Sequence, residues 1–352
     1  MEARALRVGL IGYGLAGSAF HAPLITATPG LALELVVTSS AERARQAMTA
    51  YPGVRICGDA DALFARADAL DLLVVASPNR THVALAERAL RAGLPVVVDK
   101  PLAATAAEAE QLAALAEERG LVLSVFHNRR WDNDFLTLCG LLERGELGRV
   151  YRFESRFERW RPKPKGGWRE SGDPGELGGL LYDLGSHVVD QALALFGPAA
   201  TVYAESDVRR PGAEVDDDTF IAVTHTGGVR SHLWVSATAA QLGPRFRVLG
   251  SHGAYVKHGL DPQESALRAG ERPGLGDWGV EPETAWGTLG EPESARPVPT
   301  VDGDYPAYYR AVAAAVRSGD APPVTAPEAA ETLRVLEAAR HCARTGQSVT
   351  LR

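Results

Sequence analysis

The sequence predicts a two-part α/β protein: a doubly wound parallel sheet at the amino-terminal end, then an α+β domain whose sheet is mostly antiparallel. Short apolar strands alternate with helix-compatible segments from Leu6 to Phe126, and a glycine-rich turn follows the first strand directly. After Val150 the apolar pattern changes to period two across a series of β-rich runs. At 352 residues the chain is about twice the length of a usual domain, so two domains are expected, at 1–126 and 127–352, each around its own core.

Leu6 to Ile11 reads as the first strand and runs into Gly12-Tyr13-Gly14-Leu15-Ala16-Gly17, with helix-compatible Ser18 to Ile25 behind it. In such a strand, loop and helix the first glycine permits the turn, the second lets the backbone approach a pyrophosphate, and the third lets helix pack on strand. Free N–H groups at the helix start hold the phosphates. This is the signature of a Rossmann dinucleotide site. The second strand, Leu33 to Val37, ends in Thr38-Ser39-Ser40 and carries no carboxylate at its tip, where a ribose-binding acid is expected. Ser39 and Ser40 can donate to a 2′-phosphate and Arg43, one helical turn on, can pair with it, which favours NADP and leaves NAD possible. Thr38 to Ser40 also suit the cap of the helix beginning near Ala41.

A third apolar strand, Asp71 to Ala76, is followed by Ser77-Pro78-Asn79 and a helix from about Thr81 to Ala92. Small polar groups at that strand end border a cofactor in an open parallel sheet, and His82 is a candidate to face it. Pro95-Val96-Val97-Val98 then delivers Asp99-Lys100-Pro101 at a strand end. Lys100 is one of only four lysines among 37 basic residues, and Pro101 forces a constrained turn beside it. Asp99 and Lys100 are both candidates to meet the cofactor. Thr105 to Arg119, stopped by Gly120, is an amphipathic helix, and Leu121 to Phe126 closes the sheet. His127-Asn128-Arg129-Arg130-Trp131-Asp132-Asn133-Asp134 follows directly, which places polar and cationic side chains at the sheet edge of Lys100, Asn128 toward the cofactor and Arg129 toward a substrate.

In the second half, Phe135, Leu138, Leu141 and Leu142 recur at helical spacing, and Val150 to Trp160 alternates with Tyr151, Phe153 and Phe157 on one face. Pro162 to Gly179 is a Gly/Pro-rich loop long enough to be a substrate lid, with Trp168 and Arg169 as candidate sugar contacts. In Leu180-Leu181-Tyr182-Asp183-Leu184-Gly185-Ser186-His187, Asp183 and His187 stand four apart, one face of a helix. A carboxylate beside an imidazole raises its basicity, which suits removal of a hydroxyl proton near neutral pH. Strands are expected at Thr201 to Glu205, Thr219 to Thr226, Gly228 to Ala237, Arg245 to Gly250 and Ala254 to Lys257. Gly259 to Thr300 reads as mostly irregular, and Asp304 to Arg317 and Pro327 to Arg344 as helices, the first carrying Tyr305 as a candidate substrate contact.

Composition excludes several classes. A net charge of −7, with glutamates interleaved among the arginines of Val150 to Trp160, argues against nucleic-acid binding. No stretch approaches the roughly 20 apolar residues of a membrane helix, and the Met1 end carries no apolar signal segment, so a cytoplasmic protein is expected. Cys57, Cys139 and Cys342 make neither a disulfide framework nor a metal-spaced cluster, and no metal is expected.

Taken in order, the glycine loop, Ser77-Pro78-Asn79 with His82, Asp99-Lys100-Pro101 and Asp183 with His187 resemble the Gfo/Idh/MocA oxidoreductases over essentially the whole chain. GYGLAGSAFHAPL, SVFHNRRWDNDFLTL, YDLGSHVVDQALALFG and DPQESALRAG are most similar, within that family, to the bacterial NADP-dependent scyllo-inositol dehydrogenases. Asp99 stands where the commoner family motif has Glu. The resemblance implies a carboxy-terminal α+β domain whose open sheet mediates a homodimer or homotetramer, a nicotinamide between the domains, and a cyclic polyol or sugar as substrate. It implies His187 as the group that takes the hydroxyl proton, Lys100 as the group that polarises the oxygen, and Asp183 as the residue that orients His187 or binds a neighbouring hydroxyl. Reduction of another carbonyl sugar, such as an anhydrofructose or dehydro-aldose, a non-enzymatic cofactor-binding regulator, and a redox-neutral NAD-dependent glycoside hydrolase stay open as alternatives.

Overall fold

A computed structural model describes residues 4–351, so the expectation drawn from the Met1 end lies outside the described residues. The chain divides into two compact units: 1–128 with 263–278 and 304–330, and 129–262 with 279–303 and 331–352.

The first unit is built on β1 (Leu6–Ile11), β2 (Leu31–Val37), β3 (Arg55–Cys57), β4 (Leu72–Val75), β5 (Val96–Asp99) and β6 (Leu123–Phe126), with α1 (Ala22–Ala27), α2 (Ala41–Ala50), α3 (Ala60–Phe64), α4 (His82–Arg91) and α5 (Ala106–Arg119) between them. The strands form one parallel sheet in the order β3-β2-β1-β4-β5-β6. That order reverses direction between β1 and β4, and in a doubly wound sheet the ligand crevice opens at such a switch point, beyond the carboxyl ends of the strands. Leu72 to Val75 and Val96 to Val98 are all fully buried, as continuous apolar runs must be when helices cover both faces. Each such side chain contributes about 1.5–3 kcal/mol by leaving water. The start of β1 is pinned by Asp71, whose carboxylate accepts the Arg7 N–H at 2.8 Å and pairs with the Arg4 and Arg7 guanidinium groups. Helix α5 carries a full capping box, Thr105 with Glu108, and ends at Gly120 in the left-handed region at φ 61°. β3 and α3 went unread in the sequence; at three and five residues they are too short to show a period.

The second unit contains α6 (Asn133–Glu143), β7 (Val150–Glu158), α7 (Leu180–Asp183), α8 (Gly185–Phe196), β8 (Ala199–Asp207), β9 (Asp218–His225), β10 (Arg230–Ser236), β11 (Phe246–Gly250) and β12 (Gly253–Lys257). Further along the chain come α9 (Gln263–Ala269), β13 (Gly287–Gly290), β14 (Arg296–Val298), α10 (Tyr305–Ser318), α11 (Ala326–Thr345) and β15 (Val349–Thr350). Nine strands make one sheet in the order β14-β13-β12-β11-β7-β10-β9-β8-β15. It is antiparallel throughout except where β7 and β10 run parallel at its centre. Ile221, Val223, Leu233 and Val235 are buried while Phe220, Ala222, His232 and Trp234 alternate with them half-exposed, the mark of a sheet with one covered and one open face. Tyr151, expected inside with Phe153 and Phe157, is 47% exposed, whereas those two are buried.

The segment 259–300 departs from the irregular reading. β13 and β14 extend the sheet edge, and Gln263–Ala269 is helical. That helix and α10 belong to the first unit, where α9 packs on the helical segment after the glycine loop and α10 on α1. The amino-terminal unit is therefore completed by residues from late in the chain.

Candidate active site

The glycine loop has a distinct geometry at each glycine. Gly12 sits at φ 97°, and a Cβ there would lie 2.5 Å from the Ala76 carbonyl oxygen, so the turn after β1 presses on the end of β4. At Gly17 a Cβ would stand 2.0 Å from the Gly12 carbonyl oxygen, which leaves no space for a side chain between loop and helix. Gly14 is different: a Cβ there would approach only the Arg43 Nη1, at 4.0 Å. Among the described residues nothing crowds a side chain at 14, and the open space beside it fits the close approach of a pyrophosphate. Tyr13 is buried, Ala16 half-buried and Leu15 43% exposed. The helical segment Ala16–His21 is wound with wide i to i+5 bonds before α1 takes over, the Ala22 N–H donating to the Gly17 carbonyl.

Around the adenosine end, the Ser40 hydroxyl accepts the Arg43 N–H at 3.3 Å and Thr38 Oγ1 accepts the Ser40 N–H at 3.3 Å. Thr38 to Ser40 thus cap α2, Ser39 is exposed, and the Arg43 guanidinium lies above Gly14. The capping bonds leave the Arg43 guanidinium beside the loop.

Past β4, Ser77, Pro78 and Asn79 are half-buried, with Ser77 Oγ 2.6 Å from Thr81 Oγ1. His82 is 1% exposed, and its ring nitrogens lie 2.7 Å from the Pro101 carbonyl oxygen and 2.9 Å from that of Ser77. Both ring nitrogens are therefore engaged by backbone groups. Asp99 accepts the Lys100 N–H at 2.8 Å, so its carboxylate pins the turn that carries the lysine. The Lys100–Pro101 peptide is cis. Beneath these turns His21 is fully buried with Nδ1 2.6 Å from the Tyr309 hydroxyl, and burial pushes its imidazole down to about 4, against a smaller upward pull from Asp99. Asn128, just beyond β6, is buried at 6% exposure, and Tyr305 is fully buried, its N–H donating to Gln263 Oε1 at 2.7 Å.

The second unit holds the remaining candidates. Asp183 and His187 do not share a helix, because α7 ends at Asp183, Leu184 breaks the run, and α8 begins at Gly185. The two are therefore carried by consecutive helices and not by one. His187 is buried at 7% exposure and Asp183 half-buried. α7 is positioned by Asp216: its carbonyl accepts the Leu180 N–H at 3.0 Å and its carboxylate the Leu181 N–H at 2.7 Å. Burial raises the Asp216 carboxyl to about 6. The only sequence trace of this anchor was the run Asp216-Asp217-Asp218. The segment 162–179, read as a lid in the sequence, is also tied down. Glu170 accepts the Lys165 and Gly166 N–H groups at 2.5 and 2.6 Å and pairs at 3.0 Å with Arg210, which is locked in turn on Asp217 at 2.8 Å. Next to it, Arg169 stacks over the half-buried Trp168 ring at 4.2 Å and reaches Asp183 at 3.5 Å. A cavity of about 270 Å³ opens behind this segment, lined by Ser171, Tyr182, Ser206, Asp216 and Arg340 among others, while Asp183 and His187 lie outside its lining.

The His127 to Asp134 stretch, read as a cationic sheet edge, is mostly core. Arg129 is 6% exposed, pairs with Asp132 at 3.2 Å and lies over the Phe157 ring at 4.5 Å. Arg130 makes a two-pronged pair with Asp190 at 2.9 and 2.8 Å. Asp134 meets buried Arg245 at 3.0 Å, Arg245 donates to Gln191 Oε1 at 2.7 Å, and Gln191 donates to the Arg129 carbonyl at 2.7 Å. Burial pushes the Asp132 carboxyl up to about 8, against the pull of Arg129. Alternating charges this dense signalled a network, but sequence alone does not separate a buried network from a ligand-facing one. Among the described residues no His, Cys, Asp and Glu group is arranged to hold a metal ion, and no helix is long and apolar enough to cross a membrane.

Residues 6–127 match the NAD-binding Rossmann-fold domain of an oxidoreductase family, and residues 140–351 match the C-terminal alpha/beta domain of the same family. The uncharacterized oxidoreductase YdgJ of Escherichia coli is 45% identical over 94% of each chain. The scyllo-inositol 2-dehydrogenase (NADP(+)) IolW of Bacillus subtilis is 35% identical over 98% of this chain and 96% of its own. The structure of YvaA from Bacillus subtilis superposes over the whole of both chains with a TM-score of 0.93 at 34% identity. With the order β3-β2-β1-β4-β5-β6, the glycine loop at its switch point and both domains matched, the chain belongs to the Gfo/Idh/MocA oxidoreductase family.

Proposed function

We propose that this oxidoreductase interconverts a ring hydroxyl of a cyclic polyol and the corresponding ketone, with scyllo-inositol and scyllo-inosose as the best-supported pair and NADP as the preferred nucleotide. The observation that carries the reading is the juxtaposition in the first unit: Gly14 lies open at the switch point, and Lys100 leaves the carboxyl end of β5, two strands from β1 in the sheet. The relatedness to IolW supports the polyol, and Arg43 above Gly14 supports the 2′-phosphate. When bound, the nicotinamide supplies the hydride acceptor.

The chain's own residues do the rest. Gly12, Gly14 and Gly17 shape the loop whose N–H groups face the pyrophosphate, and Ser77 to Asn79 border the ring. Lys100 donates a hydrogen bond to the substrate oxygen and stabilises the negative charge it gains as its proton leaves. His187, buried and oriented within the first turn of α8, takes that proton, and Asp183 holds a neighbouring hydroxyl or the imidazole itself. In the reductive direction His187 returns the proton to the oxygen. The oxidised carbon loses a hydride and the oxygen loses a proton, which balances the step. That Lys100 and the Asp183–His187 pair act on one substrate is part of the proposal. The open face of the second sheet, with Phe220, His232 and Trp234 in mutual ring contact and Arg156 stacked at 4.0 Å over Trp234, supports a homodimer or homotetramer formed through it.

A panel of inositol isomers, aldoses and anhydrofructose, assayed with NADP and NAD in both directions, tests the reading. The expected result is highest kcat/KM for scyllo-inositol with NADP. Turnover confined to aldoses or to anhydrofructose assigns a different carbonyl sugar, and no change in nucleotide absorbance with any of them contradicts hydride transfer.

A further inference from the structure

The ends of β4 and β5 are joined by one side chain. His82 opens α4, is 1% exposed, and lies between the carbonyl oxygens of Ser77 and Pro101, its Nδ1 2.7 Å from Pro101 and its Nε2 2.9 Å from Ser77. A carbonyl oxygen only accepts, so each contact requires an N–H on the ring. Neutral imidazole has one N–H and one bare nitrogen, and at these distances the bare nitrogen would set its lone pair against an oxygen lone pair. Only the imidazolium satisfies both oxygens.

The surroundings contain forces of both signs. The first position of a helix disfavours a cation, Lys100 adds a like charge on the neighbouring turn, and burial penalises any charge. Asp99, at the end of β5, carries the opposite charge, and each hydrogen bond from an imidazolium to a carbonyl is charge-assisted. The Ser77 side is braced further, because Thr81 Oγ1 donates to the Pro78 carbonyl at 2.7 Å and lies 2.6 Å from Ser77 Oγ. Beyond the paired strands, His82 links the two turns that follow them.

We propose that His82 is a positioning residue: as a buried imidazolium it clamps the Ser77 and Pro101 carbonyls together, and so fixes where Lys100 stands relative to the nucleotide crevice. The consequence for turnover rests on the reading of Lys100 as the group at the reacting oxygen, whereas the clamp itself does not. Two amides divide the clamp. Asn places its NH₂ where Nδ1 was and keeps the Pro101 link; Gln places it where Nε2 was and keeps the Ser77 link.

The test has two independent arms. In histidine-labelled protein, with and without NADP, both His82 ring nitrogens are expected to show the ¹⁵N shifts of protonated, pyrrole-type nitrogen at neutral pH; assignment is by loss of those signals in either amide variant. One pyridine-type nitrogen would overturn the imidazolium clamp whatever the enzyme's substrate. In the kinetic arm, His82→Gln, which frees the Pro101 turn, is expected to lower kcat about a hundredfold, the penalty for displacing a reacting group by roughly 1 Å, with NADPH affinity near wild type. His82→Asn is expected to keep kcat within about fivefold, the worth of roughly one hydrogen bond. Equal losses of kcat in the two variants, or an order reversed between them, would overturn the positioning role. If wild type turns over no polyol, the nitrogen shifts still decide the clamp, and the failure belongs to the substrate reading.

Discussion

The three loop glycines separate what the fold needs from what a nucleotide needs, and alanine at two of them makes that separation measurable. In Gly17→Ala the new methyl would stand 2.0 Å from the Gly12 carbonyl oxygen, backbone against side chain with no flexible end to yield. Overpacking of that kind costs about 1–3 kcal/mol, so this variant should unfold earlier with or without ligand. In Gly14→Ala the methyl meets no protein atom closer than Arg43 Nη1 at 4.0 Å, and the backbone there is not in the left-handed region. Its stability should stay within about 0.5 kcal/mol of wild type, as for an ordinary surface change. A pyrophosphate drawn against the loop would have to retreat from that methyl and lose at least one charge-assisted hydrogen bond, about 1.5–3 kcal/mol, which is roughly a 10- to 150-fold rise in Kd. Thermal melts of the ligand-free proteins and NADPH fluorescence titrations measure the two quantities. A Gly14→Ala protein that binds NADPH like wild type would refute the assignment of the loop to the pyrophosphate.

Two further outcomes follow from charges seen in the structure. Arg43→Ala, which removes the guanidinium above Gly14, should weaken NADPH binding by roughly 10- to 100-fold and leave NADH binding nearly unchanged; equal effects on both would place the 2′-phosphate elsewhere. Asp132, whose carboxyl is raised to about 8 in the fold, keeps a proton that the unfolded chain gives up near pH 4. Between these values the native state binds more protons, so stability falls as pH rises, by up to about 1.4 kcal/mol per pH unit. Asp132→Asn should remove that part of the slope, checked by denaturant unfolding from pH 5 to 8.

The first unit was legible because its strands are continuous apolar runs between turn signals and its loop has a fixed spacing: the strand ends carrying Gly12 to Gly17, Ser77 to Asn79 and Lys100 stand where the pattern put them. Three features were hidden for identifiable reasons. Asp183 and His187 keep their spacing in sequence, but the chain passes from one helix to the next at Leu184, and a single Gly185 inside a helical pattern is a weak sign of such a break. Arg129 reads as a cation at the sheet edge of Lys100, and its buried network with Asp132, Asp134, Arg245 and Gln191 joins residues too far apart in sequence to be read together. The return of α9 and α10 to the first unit is tertiary information that local periodicity does not carry. Asp99, read beside Lys100 at the strand end, accepts the Lys100 N–H and so pins the turn.

Lys100 at the end of β5 remains the residue on which the functional account turns, and its replacement is the most direct measurement. Lys100→Met keeps the length and apolar stem of the side chain and removes its donor and charge. The account predicts NADPH affinity within about threefold of wild type, well under the effect of losing one charged hydrogen bond, with kcat for scyllo-inositol oxidation lowered by at least about a thousandfold, the scale of losing an oxyanion-type donor. Turnover within tenfold of wild type, in a protein that still binds NADPH, would contradict it.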